Sequence, residues 1–581
     1  PYVSLRDMEF EGTPSFEIPL TLFQTLSTRA AMDKDGILNM YDIRQIFKDQ
    51  GVATDGESGL IHCLSQVIGK GKAGAPKLVN FTTASEHGEA GSENPPGATI
   101  VGQPLAAQQS APVTSPQMAA EAVAIQAAKQ KRVEPTDEDL DLVAEFVQCI
   151  GERIGVLTPF DREQVTERQS KPNQRIKNQR VATAVREILP DRATIIAFVK
   201  NEARGKNRAI YPVSAAHSMA GSCFSLPLSD ALKTAMPCFM SGRSGQAIAN
   251  WIHDFACENA EEILESYDVA GMDGSLPKLG RLLMVALVHH VFDDPSSTDT
   301  LIAEAFAIII AGGVEYENFM SNMSGSNWTS LLNAVFMAFL QFASLRKSGL
   351  SPNDSMLKIG PVAGDDGGIL GSHRKTFDAL ATRVGLELKW EVHVEGLPKS
   401  FVFLNRLFPD PGESISSSPA LKRLLTTINT MVGVQGGIAA RIVGWQSSDP
   451  LQTDLMSVLD AIVRCTPGLK LPRVEDIVDN DILIKISAAA WPLRKRDLPQ
   501  IRLMVADNLG MDVVAYTEWL DRISKVQTKE EMAKLFLHHI ELKPLPEGSI
   551  PCTAAAKNAV ARAAEALAPK PRKGKSKGKA Q

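Results

Sequence analysis

No helicase P-loop, protease constellation, capping motif or C-x-x-C pair occurs among the 581 residues, so those activities would have to come from elsewhere. Cysteine is scarce. The seven present are an odd number with no paired spacing, which argues against a disulfide framework and for a reducing compartment. Long apolar runs are also missing. The most apolar stretch, Leu331 to Leu345, is broken by Asn333 and Gln341 and is too short to span a bilayer. It reads as a buried core helix, and no transmembrane segment is expected. The chain opens at Pro1-Tyr2-Val3 with neither an initiator methionine nor a signal-like segment, which suggests excision from a precursor.

What is present fits a soluble globular protein. The length allows several cores or one large multi-part enzyme, and a hydrophobic content of 44% is ordinary for a globular chain. The formal net charge of -6 conceals two basic blocks. Between Arg162 and Arg208 there are twelve Lys/Arg against five Asp/Glu, and from Lys557 to Gln581 there are eight against one. Such blocks in an acidic protein point to local contact with a polyanion, although a solvated face has the same composition. The Lys570 to Lys579 segment is too polar and charged to order by itself.

In chain order, residues 1–83 form an N-terminal extension. Within it Asp33-Lys34-Asp35-Gly36 and Asp42 can be laid on an EF-hand loop at 31–42. Ala31 then falls where the first liganding Asp belongs, so a polar turn between helices is the better assignment. Residues 84–133, rich in Ala, Gly, Pro, Ser and Gln, read as a flexible linker that turns helical after Pro116. Thr136-Asp137-Glu138-Asp139 then caps the first helix of the main body.

Five stretches carry chemistry. The exposed-looking segment Ser170-Lys171-Pro172-Asn173-Gln174-Arg175-Ile176-Lys177 and the run Lys200, Arg204, Lys206, Arg208 after the β-rich Thr194–Val199 supply cations. Spaced along extended chain, the second set suits a triphosphate, and an ordinary charged hairpin fits the same residues. A strand ending near Asp268 presents a carboxylate, and the turn after it carries Asp273. The small-residue loop Ser324-Gly325-Ser326-Asn327 runs into the apolar helix, where Thr329 and Asn333 share a face. Finally Gly364-Asp365-Asp366 lies between the apolar runs Met356–Ile359 and Ile369-Leu370, a β-hairpin with acids at its tip. Adjacent acids need a cation between them and their neighbours, and hard divalent ions serve that purpose, but Asp-Asp in a surface turn is commonplace.

Taken together, Asp268-x4-Asp273, Ser324-Gly325-x3-Thr329-x3-Asn333 and Gly364-Asp365-Asp366 resemble motifs A, B and C of viral RNA-dependent RNA polymerases, in the usual order. The Lys200–Ile210 run resembles motif F, and Phe401–Phe408 resembles the motif E turn of picornavirus-like enzymes, with Asn405 where that group often has Lys. Ser170-Lys171-Pro172 is the motif G candidate and Lys389 the motif D candidate. The resemblance covers about residues 165–410 and implies nucleotidyl transfer by two Mg²⁺ ions, with Mn²⁺ able to substitute. Asp268, Asp365 and Asp366 would hold the metal, and Lys389 would protonate pyrophosphate. Lys200, Arg204, Lys206 and Arg208 would bind triphosphate. Asp273, Ser324, Gly325, Thr329 and Asn333 would read the ribose 2'-hydroxyl, and Lys171, Arg175, Lys177 and Arg406 would contact RNA.

The implied fold is α+β, a right hand of fingers, palm and thumb with an antiparallel palm sheet and a mostly helical thumb. Fingers would span 134–260 with an insertion near 280–318, palm 261–410, thumb 411–545 and a basic tail 546–581. Helical periodicity in Ala420–Val432, Leu455–Arg464 and Ile501–Leu509 suits the thumb, whose size leaves room for an element that supports primer-independent initiation. Implied partners are template and product RNA, ribonucleoside triphosphates, and other viral replication or capsid proteins. The implied location is a replication complex in host cytoplasm, or the virion if the genome is double-stranded. A reverse transcriptase would share the palm but usually has an apolar or aromatic residue where Gly364 stands. A non-catalytic RNA-binding protein would account for the tail but not for five ordered motifs.

Overall fold

The computed structural model describes residues 116–169, 192–199, 209–311, 314–421, 438–465, 470–477 and 480–528, with a few single positions besides. It also gives the backbone of four short N-terminal strands, Tyr2–Leu5, Phe16–Pro19, Val79–Asn80 and Ser110–Ala111. The EF-hand-like loop at 31–42 and the basic tail lie outside the described residues. The architecture is mixed α+β, and among the described residues no helix is long and apolar enough to cross a membrane.

At its centre is the helix Thr329–Lys347, in which every residue from Leu331 to Leu345 is buried. A helix apolar on all sides must be enclosed. Asp137–Ile154, Lys278–Val291 and Arg374–Arg383 enclose it, and the Phe146 ring sits 5.6 Å from Phe339 and 5.2 Å from Phe342. Asp137–Ile154 starts at the expected cap: the Thr136 side chain accepts from the Asp139 N–H, and Asp139 accepts from the Thr136 N–H.

Against this helix lies a four-stranded antiparallel sheet, in the order Val362–Ala363, Asp366–Leu370, Leu264–Val269, Leu388–Trp390. Gln341, an anomaly in an apolar helix, joins the two layers. Its Nε2 donates to the Tyr267 hydroxyl at 2.9 Å and to Gly368 O at 3.0 Å, and its Oε1 accepts from the Gly360 N–H at 2.8 Å. Gln341→Leu keeps the bulk but orphans buried groups, each worth about 1–3 kcal/mol. Urea denaturation is expected to show a loss of about 3 kcal/mol or more on that basis. Unchanged stability would mean these bonds do not hold the sheet to the helix.

Two expectations need correction. Met356 and Leu357 do not enter a strand, because Ser351 caps a short helix, Pro352–Leu357, with Pro at its first position, a placement that favours helix. The strand begins only at Val362. The helix after Pro116 forms over Pro116–Ala127, yet it is no loose tether, since Ala119, Ala122 and Val123 are buried. They pack on the sheet in which Thr194–Ile196 pairs in parallel with Ile308–Ala311. Residues near 280–318 therefore rejoin the segment before Pro212. Towards the C-terminus, Thr453–Cys465, Leu498–Leu509 and Val513–Lys525 share a second core, including Leu455, Ile501 and Trp519. Beyond Leu421, the periodic stretch Ala420–Val432 lies outside the described residues.

Candidate active site

The hairpin at Gly364 has a loop of two residues, since Ala363 pairs with Asp366. Gly364 takes φ 67° while Asp365 stays out of the left-handed region, which fits a type II′ turn with glycine first. Alongside, strand Leu264–Val269 is registered so that Asp366 and Lys389 are the Cα partners of Asp268 on its two sides. Three acids from two distant segments thus meet at one end of the sheet. The Asp268 side chain is 41% exposed and its Oδ2 lies 3.6 Å from Lys389 Nζ. Burial, and then the charge of Asp365, push the Asp268 carboxyl above the usual range, while Lys389 opposes the rise.

A second group of polar residues lies beside the acids. Asn333 Nδ2 donates to Asp273 Oδ1 at 3.0 Å, which brings together two of the five residues that the resemblance assigns to the ribose. Asn322, which sequence reasoning missed, connects them further. Its backbone N–H donates to Asp273 O at 2.8 Å, and its Nδ2 donates to Asn333 Oδ1 at 2.9 Å and Thr329 O at 3.2 Å. The Thr329 hydroxyl turns back on its own loop, to the carbonyls of Met323 and Ser326. Ser324 Oγ accepts from the Tyr211 N–H at 3.3 Å. Gly325 lies so close to the Tyr211 carbonyl that a Cβ would come within 2.5 Å of it. Tyr211 is itself buried, and its phenol is raised by burial and then by Asp273. No sequence motif marks Asn322 or Tyr211.

The cationic candidates are less complete. Lys171, Lys177, Lys200, Arg204, Lys206 and Arg208 lie outside the described residues. Arg175 is exposed and donates to Gln169 O at 3.0 Å. Arg406 is the clear correction: its side chain is 6% exposed and pairs with Asp449 at 2.7 Å, with its guanidinium 4.2 Å over the Trp491 ring. An arginine so enclosed is not presented to RNA. Asn405, with φ 56°, and Leu404, with φ 53°, form the loop of the hairpin Phe401–Phe403/Arg406–Phe408, and asparagine tolerates that conformation better than lysine does.

Among the described residues no three His, Cys, Asp or Glu side chains converge as a metal cage. The acids fit a divalent ion of another kind, since Mg²⁺ uses one or two carboxylates and completes its shell with water and substrate phosphates. Burial, and then the charge of Asp365, raise Asp268, and a bound cation would oppose both.

Adjacent acids on a hairpin tip, opposed by a third and flanked by a buried amide network, define a site suited to metal-assisted chemistry at phosphate. The chain is similar to viral proteins named RNA-directed RNA polymerase. With that of Pieris rapae virus it shares 25% identity over 422 residues, 70% of this chain and 40% of the relative. With that of Nodamura virus it shares 29% over 326 residues, 53% and 31%, and with that of Flock house virus 26% over 348 residues, 56% and 34%. The chain thus spans two-fifths or less of the length of these curated relatives. No family model matches it.

Proposed function

We propose that this chain is an RNA-directed RNA polymerase, transferring nucleotides from ribonucleoside triphosphates to the 3'-hydroxyl of a growing RNA on an RNA template. The observation that carries this reading is the register that sets the Gly364-Asp365-Asp366 hairpin against Asp268, beside an Asp273–Asn333 contact. In the right-hand arrangement, residues 261–410 are the palm, 134–260 with the 280–318 insertion the fingers, and 411–545 the thumb.

Asp268 and Asp365, with Asp366, would hold two Mg²⁺ ions, which when bound polarise the attacking and leaving oxygens. The chain's own groups do the rest. Asp273 and Asn333, joined by Asn322, hold polar atoms ready for the ribose 2'-hydroxyl. A deoxynucleotide would forgo the hydrogen bond that the 2'-hydroxyl makes with this network, which is the basis for its rejection. Lys389, whose Nζ lies 3.6 Å from Asp268 Oδ2, would give a proton to the departing pyrophosphate. Gly364 and the Asp273–Asn333 pair favour this reading over a reverse transcriptase.

The test is RNA synthesis by purified protein on a short RNA template with Mg²⁺ and ribonucleotides, primed and unprimed, wild type beside Asp365→Ala. Product from wild type alone is expected, and unprimed product would establish primer-independent initiation. Equal product from both would remove Asp365 from the metal site. No product from wild type, with metal and template varied, would overturn the reading.

A further inference from the structure

The end of the helix Pro116–Ala127 and the residues after it pack on segments that lead into the site, and no motif gives them a role. Gln126 packs on Gly274 so closely that a Cβ there would lie 2.4 Å from its Cγ and 3.1 Å from its backbone oxygen. The Lys129 side chain crosses Gly271, with Nζ 2.5 Å from where a Cβ would sit. The Gln130 amide donates to Asn318 Oδ1 at 3.2 Å and to the Ser321 hydroxyl. The Arg132 guanidinium lies 4.3 Å over the Phe319 ring.

These contacts fall on two short segments. One is 271–274, which carries Asp273. The other is 318–321, which leads directly into Asn322. The two are tied together by the Asn322 N–H to Asp273 O bond. The seam between them and the helix end, lined by Gln126, Gln130, Tyr211, Asn318 and Asn322, encloses a cavity of only about 10 Å³, no more than one water requires. Close-packed interiors transmit displacement rather than absorb it.

We propose that residues 126–132 are a positioning strap that fixes Asp273 relative to Asn322 and Asn333, and through them sets the preference for ribonucleotides. Gln126 and Gln130 are positioning residues, since neither is placed against nucleotide. The proposal rests on the polymerase reading above. Small misplacements at a reacting centre cost up to about a hundredfold, so a strap that shifts the network by a fraction of an ångström has room to change selectivity.

The experiment compares kcat/KM for a ribonucleotide and its deoxy analogue on a primed RNA template, for wild type, Gln130→Ala, Gly274→Ala and the double variant Gly274→Ala/Gln126→Ala, with a melting curve for each. Wild type must extend the primer; failure there removes the polymerase reading, not the strap. The expected result is a ribonucleotide preference about tenfold lower in Gln130→Ala and Gly274→Ala. Removing the Gln126 side chain should restore most of that loss in the double variant, because it removes the nearest clash. Parallel losses on both nucleotides, a preference within about twofold of wild type, or no rescue by Gln126→Ala would overturn the proposal. Should Gln130→Ala fail to fold, the Gly274 pair decides.

Discussion

Asp268→Asn is expected to lose at least about a thousandfold in nucleotide incorporation while melting no lower than wild type at neutral pH. The two effects share one cause. Burial and Asp365 raise the Asp268 carboxyl, with only partial relief from Lys389. A carboxyl raised by folding is a destabilising group wherever it is ionised, because the folded state then holds a charge that the unfolded state solvates better. The cost grows as pH rises from the ordinary value of 3.8 through the raised one and is complete above it. Asparagine keeps the shape and removes that charge, so the variant's advantage in melting temperature should shrink as pH falls towards 4. Added Mg²⁺ should raise the melting temperature of wild type and leave the variant little changed, since a ligand stabilises only the state that binds it. Incorporation within about tenfold of wild type would remove Asp268 from the metal site.

Asp449→Ala is expected to cost about 3–5 kcal/mol of stability, the usual penalty for leaving one buried charge without its partner. Arg406 and Asp449 are 6% and 2% exposed, 2.7 Å apart, and Arg406 also donates to Ser417 Oγ at 3.1 Å. Burial lowers the Arg406 pKa and Asp449 offsets that, so removing the acid leaves the cation with the desolvation alone. The double replacement Arg406→Met/Asp449→Leu should recover most of the loss, because apolar residues of similar size often replace a buried pair at little cost. Denaturant midpoints of the single and double variants make a cycle; equal losses in both would mean that packing, not charge, is what Asp449 supplies. The double variant should also bind RNA with the wild-type salt slope, since Arg406 faces Trp491 and not solvent.

Local signals are legible in the chain and long-range ones are not. The Gly364-Asp365 turn, the Thr136 cap, the buried helix and the unusual Asn333 each follow from chemistry within a few residues, and each is found where the pattern put it. The Met356–Leu357 run misled because two apolar residues fit a strand or a helix equally, and Ser351-Pro352 decided for helix. Arg406 looked like a surface cation because its partner lies 43 positions away, beyond any periodic pattern. Asn322 and Tyr211 act through backbone and amide contacts with residues up to 113 positions distant, for which a single sequence carries no mark.

The sheet order has a consequence for the chain as it is made. The strand bearing Asp268 is flanked by Asp366–Leu370 and Leu388–Trp390, so both its edges stay without these neighbours until roughly another hundred residues have left the ribosome. At about 5–20 residues per second that is an interval of about 5–20 s, during which a strand with buried-type residues at Leu264, Tyr267 and Val269 is open to pairing with other chains. The helix Thr329–Lys347 emerges within that interval and is the first large apolar surface available to cover it. Newly made protein should therefore be most prone to aggregate when synthesis stalls before Asp366, and the acids of the site come together only after that danger has passed.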